Sequence, residues 1–102
     1  MSPEGEGVSA QTTSETRSWS SRYATGTYGT SSDHSSHTQR VNFQQDLNCV
    51  MGTSLATDGY IGSATRAVVK QFQSLHGLDD DGQAGNDTKQ ELYIVAQQSS
   101  CF

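Results

Sequence analysis

The chain has 102 residues, 31% of them apolar, and a net charge of −5. That is room for one domain, or for a smaller domain with a tail. No basic stripe is present to meet a phosphate backbone or an anionic bilayer, so nucleic acid and membrane are not expected as partners; no apolar run reaches the length of a membrane span.

Residues 1–40 read as an extended N-terminal arm. Ser, Thr and Gly fill 21 of these positions and 7 are apolar, too few to offset the entropy of ordering them. The stretch from Arg17 to Tyr28 departs from this background, with Trp19, Tyr23 and Tyr28 interleaved with Arg17 and Arg22. Tyr23, Thr25 and Thr27 alternate with Ala24 and Gly26 as in a short strand. Trp, Tyr and Arg are common interface anchors. Arg17, Trp19, Arg22, Tyr23 and Tyr28 are therefore the residues expected to dock on a partner protein, along a sheet edge or in a cleft; a linker with incidental aromatics is the alternative. Asp33-His34-x-x-His37 has a spacing two metal ligands could use, but it lacks a third ligand and reads as a solvated polar run. No metal and no cofactor are expected.

Residues 41–102 form the second unit, with 25 of 62 positions apolar. A core of this size is near the lower limit for independent folding. Phe43, Leu47, Val50 and Met51 predict a first helix over 41–51, ended by Gly52. Ala64, Val68, Phe72 and Leu75, broadened by Ala67, predict a second over 63–76, ended by Gly77. Thr88, Leu92, Val95 and Ala96 predict a third over 86–97, while Leu55, Ile61 and Leu78 plug the bundle from the turns.

An internal repeat joins these helices. Asp58-Gly59-x-x-Gly62-x-x-Thr65 recurs 23 residues later as Asp81-Gly82-x-x-Gly85-x-x-Thr88. The match extends to Leu55 with Leu78, Arg66 with Lys89 and Val69 with Leu92. Each copy reads as a tight Asp-Gly turn followed by a helix start, with Gly62 or Ser63 and Gly85 or Asn86 as caps and the Thr hydroxyls serving free N–H groups. The expected class is mostly α: a small three-helix bundle built on two turn-helix repeats, with an extended N-terminal arm.

Two cysteines remain, Cys49 in the first helix and Cys101 in a polar C-terminal run. An even count in so small a domain, with Cys101 where burial would not explain it, predicts a Cys49–Cys101 disulfide and a secreted protein.

At this point the ordered motifs resemble a known family. Phe43-Gln44, Leu47-Asn48, the run from Asp58 to Val68, Phe72-Gln73, Gly77-Leu78 and Asp81-Gly82 through Leu92 are similar to the peptidoglycan-binding domain appended to bacterial cell-wall hydrolases. The resemblance covers about residues 41–93. Ser63 and Asn86 stand where the family often has Pro, and Ala84 replaces a larger apolar residue. Cys49 resembles a cysteine on the first helix of secreted actinobacterial members, which supports the disulfide. The resemblance implies a non-catalytic, secreted module that recognises cell-wall glycan or peptide. Its expected ligand-binding residues are Asp58, Tyr60, Asp81 and Gln83 at the turns, with Tyr60 stacking on a sugar ring and the carboxylates accepting hydrogens; the alternative is that both carboxylates only bond their own turns. Such modules are normally fused to a hydrolase. With none read here, the second function class is a small secreted adaptor subunit whose arm docks into a partner. Asp79-Asp80-Asp81-Gly82 fails as a calcium loop, because the frame set by Gly82 puts Gly77 and Thr88 at the positions that need acids. No Ser or Cys has a plausible base, and no enzyme is expected.

Overall fold

The structure, a computed structural model, describes residues 19–28, 30–31 and 33–101. Three long helices make the bundle: α1 (His37–Met51), α2 (Ser63–Leu75) and α3 (Asn86–Gln98). A further helical turn covers residues 19–23, and no strand occurs among the described residues. α1 packs against both α2 and α3.

Each helix end has a local cause. α1 starts four residues earlier than the apolar pattern suggests because Ser36 and Gln39 form a reciprocal capping box. The Gln39 N–H donates to Ser36 Oγ at 3.2 Å, and the Ser36 N–H donates to Gln39 Oε1 at 2.8 Å. Gly52, at φ +66°, ends the helix in the left-handed conformation. α2 ends with the Leu78 N–H donating to the Gln73 carbonyl and the Gly77 N–H to that of Ser74, the bond pair that needs a left-handed residue at Gly77. α3 closes in the same way through Ser100 at φ +58°. That turn carries Cys101 back toward α1. The Cys49–Cys101 disulfide is formed, with the two Cα atoms 6.0 Å apart. A bridge across 52 residues removes about 4 kcal/mol of freedom from the unfolded chain in the loop-entropy account.

The core holds Phe43, Leu47, Val69, Phe72, Leu92 and Ala96, all fully buried. The face that α2 buries is rotated from the expected one. Thr65, Val68, Val69, Phe72 and Gln73 are inside, whereas Ala64 and Ala67 are exposed and Leu75 is 72% exposed.

Residues 19–28 lie before the expected boundary at residue 40 and pack on the bundle. These ten residues do not extend away from the bundle but form a strap laid over α1 and α3. Trp19, Tyr23 and Tyr28 are 3%, 0% and 2% exposed. The Tyr23 and Tyr28 rings meet Phe43 edge-on at 5.5 and 4.9 Å, and Tyr23 meets Tyr93 at 6.3 Å. Residues 23–27 are not a strand; helix runs through Tyr23 and the backbone then turns. Burying three large aromatics, each worth about 1.5–3 kcal/mol, orders a segment whose average composition argues for disorder. Asp46 finishes the attachment. Buried in α1 at 1% exposure, it accepts from Arg22 Nε and Nη2 at 2.6 and 2.7 Å and from the Tyr23 hydroxyl. The Arg22 guanidinium is held above its ordinary pKa by the hydrogen bond to Asp46, and burial pushes the Tyr23 phenol well up.

Candidate functional site

The repeat is built around a glutamine from the preceding helix. In the first copy, Gln44 of α1 is fully buried. Its Oε1 accepts the Gly59 N–H at 2.8 Å, and its Nε2 donates to the Tyr60 carbonyl at 2.8 Å, to Thr65 Oγ1 at 3.3 Å and to Asp58 Oδ1 at 3.5 Å. In the second copy Gln73 of α2 does the same. Its Oε1 accepts the Gly82 N–H at 2.9 Å, and its Nε2 donates to the Gln83 carbonyl at 2.8 Å, to Thr88 Oγ1 at 3.0 Å and to Asp81 Oδ1 at 3.2 Å. One side chain thus satisfies the buried polar groups of a whole turn, which would otherwise be costly to bury. Thr65 and Thr88, expected to serve the first turn of their own helices, instead accept from these glutamines. Gly59 and Gly82 carry φ of +79° and +75°. A Cβ on Gly59 would also stand 2.5 Å from the His37 ring, which lies over the turn and contacts the Asp58 carbonyl at 2.9 Å.

The carboxylates complete the turns. Asp58 Oδ1 accepts the Tyr60 N–H at 3.0 Å and Asp81 Oδ1 the Gln83 N–H at 2.9 Å. The Tyr60 amide holds the Asp58 carboxyl below its ordinary pKa. Each Asp therefore has one oxygen committed to its turn, while both side chains remain exposed.

Tyr60 is the outstanding surface residue, 74% exposed on top of the first turn. Its ring lies over Gly62, where an added Cβ would meet it at 2.5 Å. Three open clefts meet at this ring. One of about 350 Å³ runs past Ser63, Arg66 and Lys70 to the second turn at Asp81 and Gly82. Another is bordered by Asp33, Arg40 and Arg66, and a third by Asp58, Ala64 and Thr65. Gln83, the equivalent tip of the second turn, borders a separate, more acidic cleft with Asp79, Asp81 and Asp87. Of the four expected ligand-binding residues, Tyr60, Asp58 and Asp81 thus border clefts that adjoin at Tyr60, whereas Gln83 lies outside them. Arg40, Arg66 and Lys70 were missed in the sequence. The signal that could have found Arg66 and Lys70 is their i, i+4 spacing on a helix directly after the turn.

The expected partner-docking residues are placed otherwise. Arg17 lies outside the described residues. Trp19, Tyr23 and Tyr28 are core residues of their own chain, and Arg22 is bound to Asp46. Polar neighbours in the sequence give these aromatics the look of surface anchors. They are buried because α1 and α3 offer an apolar surface that those three rings fill. His76, the C-cap of α2, stacks at 4.3 Å on Phe72 and pairs with Glu91 at 3.2 Å. Among the described residues no group of three or more His, Cys, Asp or Glu is placed to hold a metal, and no helix is long and apolar enough to cross a membrane.

The family described as "Putative peptidoglycan binding domain" matches residues 36–92, and the chain belongs to it. Among curated proteins, the chain is 46% identical over 50 residues to a zinc D-Ala-D-Ala carboxypeptidase of Streptomyces albus G, a match covering 49% of this chain and 19% of that protein. It is 54% identical over 35 residues to the N-acetylmuramoyl-L-alanine amidase CwlL of Bacillus licheniformis, covering 34% of this chain and 10% of that one. The chain therefore spans a fifth or less of the length of these relatives. No solved structure matches.

Proposed function

We propose that this member of the peptidoglycan-binding family is a non-catalytic module that holds onto cell-wall peptidoglycan through its first turn. Tyr60 carries the reading: a tyrosine ring left 74% exposed at the meeting of three clefts, on a turn whose buried parts are fully bonded. An exposed aromatic held by a rigid turn offers a flat apolar face to a sugar ring, with its hydroxyl free to hydrogen-bond. Asp58 and Asp81, each with one oxygen committed to its turn, present the other to hydroxyl or amide donors. Gln83 would extend the contact along the second turn. The relatives act on wall substrates, and their matching segments are small parts of much longer chains, as a binding module would be. The disulfide suits an oxidising compartment outside the cytoplasm. The adaptor alternative rested in part on arm aromatics that are buried, leaving no exposed aromatic in residues 19–28 to anchor a partner.

Co-sedimentation with purified peptidoglycan tests this. The wild type should pellet in a saturable way, and Tyr60→Ala should bind about five-fold more weakly, the loss of roughly one covered ring face, with an unchanged melting temperature. Equal pelleting of the two proteins would remove Tyr60 from the site.

A further inference from the structure

The two repeats carry the same turn, but the second is covered by the chain's own backbone and the first is open. On the second, Lys89 donates to the Ala24 and Gly26 carbonyls at 3.2 and 2.6 Å, and its ammonium sits 3.9 Å from the centre of the Tyr28 ring. Asn86 Oδ1 accepts the Gly26 N–H at 3.0 Å, and the Ala84 carbonyl accepts the Tyr28 N–H at 3.4 Å. Residues 24–28 are thus a peptide bound to the second repeat. The 23-residue offset maps Ala84, Asn86 and Lys89 onto Ile61, Ser63 and Arg66. All three border the open cleft beside Tyr60.

We infer that this cleft is a peptide site, filled as residues 24–28 fill its twin, and that it selects a peptide with D-residues at alternate positions. Each bonding group of the covered repeat has a counterpart. Arg66 replaces Lys89, with five donors for peptide carbonyls instead of three, and its guanidinium makes no hydrogen bond or ion pair among the described residues. The Ser63 hydroxyl can accept the N–H that Asn86 accepts, and the Ile61 carbonyl stands in for that of Ala84. Lys70 supplies a further cation for a carboxylate on the peptide. Asp81 also borders the cleft and disfavours a carboxylate at that end.

The chirality follows from the strap's own backbone. Ala24 has φ +67° and Gly26 φ +93°, and Thr25 between them is not positive. L-residues avoid that region because Cβ crowds the following carbonyl; a D-residue, the mirror image, prefers it. The strap is an L-chain folded as an alternating D,L,D peptide would fold with ease. On the wall-binding reading, on which the source of the ligand rests, such a peptide comes from a wall peptide in which L- and D-residues alternate.

Titration of the full ¹⁵N-labelled chain with the tetrapeptide L-Ala–D-Glu–L-Lys–D-Ala and with its all-L isomer tests the site. The expected result is shifts at the amides of Ile61, Ser63 and Arg66, with the all-L isomer about ten-fold weaker. Arg66→Gln, at an exposed position, should weaken the mixed-chirality peptide about five-fold and leave the fold intact. Equal affinity for both isomers overturns the inference. So does an absence of shifts at the cleft while the wild type still sediments with peptidoglycan, and wall binding then stands by another route. Shifts at the cleft without sedimentation uphold the peptide site and overturn wall binding.

Discussion

In the first repeat Gln44 holds the turn and Arg66 faces solvent; in the second Gln73 holds the turn and Lys89 is buried beneath residues 24–28. Of the residues that keep their identity between copies, Asp, the first Gly and Thr are bonded by the glutamine or the turn amide, and the second Gly caps the following helix. Those that differ, Tyr60 against Gln83, Ser63 against Asn86 and Arg66 against Lys89, face outward or meet the strap. Retention of a residue within the repeat therefore marks architecture, and divergence marks the task given to each copy. One copy is spent on holding the strap, and the other is left available to a ligand.

The strap half of this comparison is the most vulnerable. Tyr23→Ala removes a fully buried ring that touches Phe43 and Tyr93 and donates to Asp46. A large-to-small change of this kind costs about 3–5 kcal/mol. In a domain this small that approaches the whole stability, and chemical denaturation should show most of it. The disulfide stays in place, so a residual helical state is expected even where the cooperative transition is lost. A melt close to wild type would show that the strap is an accessory to the bundle and that the second repeat is not committed to it.

The architectural half predicts equality. Gln44→Ala and Gln73→Ala each leave a buried glycine N–H and a threonine hydroxyl without their partner, at a cost of about 2–3 kcal/mol. If the two turns are equivalent, the two variants should agree to within about 0.5 kcal/mol, the scatter usual for independent sites. A much larger loss at Gln73 would mean that the strap, resting on the second turn through Ala84 and Asn86, unfolds together with it.

The sequence made the turns and the helix number legible because glycine at positive φ, Asp-Gly pairs and the repeat are local signals. The disulfide was legible from cysteine count and domain size. Three features were not. The buried face of α2 includes Thr65 and Gln73, polar residues that a hydrophobic stripe excludes, so the stripe was placed too far toward Ala64 and Leu75. The start of α1 lay in the Ser36–Gln39 capping pair, which precedes any apolar residue of that helix. The strap was hidden because composition averages over residues: three aromatics among many serines and glycines look like an arm, although three rings suffice to fill one groove. At the site, Tyr60 was legible as the exposed tip of a turn. The equivalence of an open cleft to an occupied one required the strap to be seen in place.

Lys89 gives the smallest effect and the most direct probe of the occupied repeat. It is fully buried, and burial pushes its ammonium down to about 8, opposed in part by the charge of Asp33. A lysine whose folded pKa lies below its unfolded value binds fewer protons when folded. Its contribution to stability therefore rises with pH, starting near pH 8 and complete near the ordinary lysine value. Tyr23 and Tyr28 act in the opposite sense higher up: burial keeps both phenols neutral in the fold, so stability is lost once the unfolded tyrosines ionise above about pH 10. The clean window is pH 8–10. There the stability of the wild type relative to Lys89→Met should increase by about 1–2 kcal/mol, read from urea titrations at each pH, because the methionine variant keeps both tyrosines and drops only the titrating amine. A difference that stays flat across this window would mean that the two carbonyls and the Tyr28 ring replace the lost water completely. The strap would then hold a lysine as readily charged as one in solution.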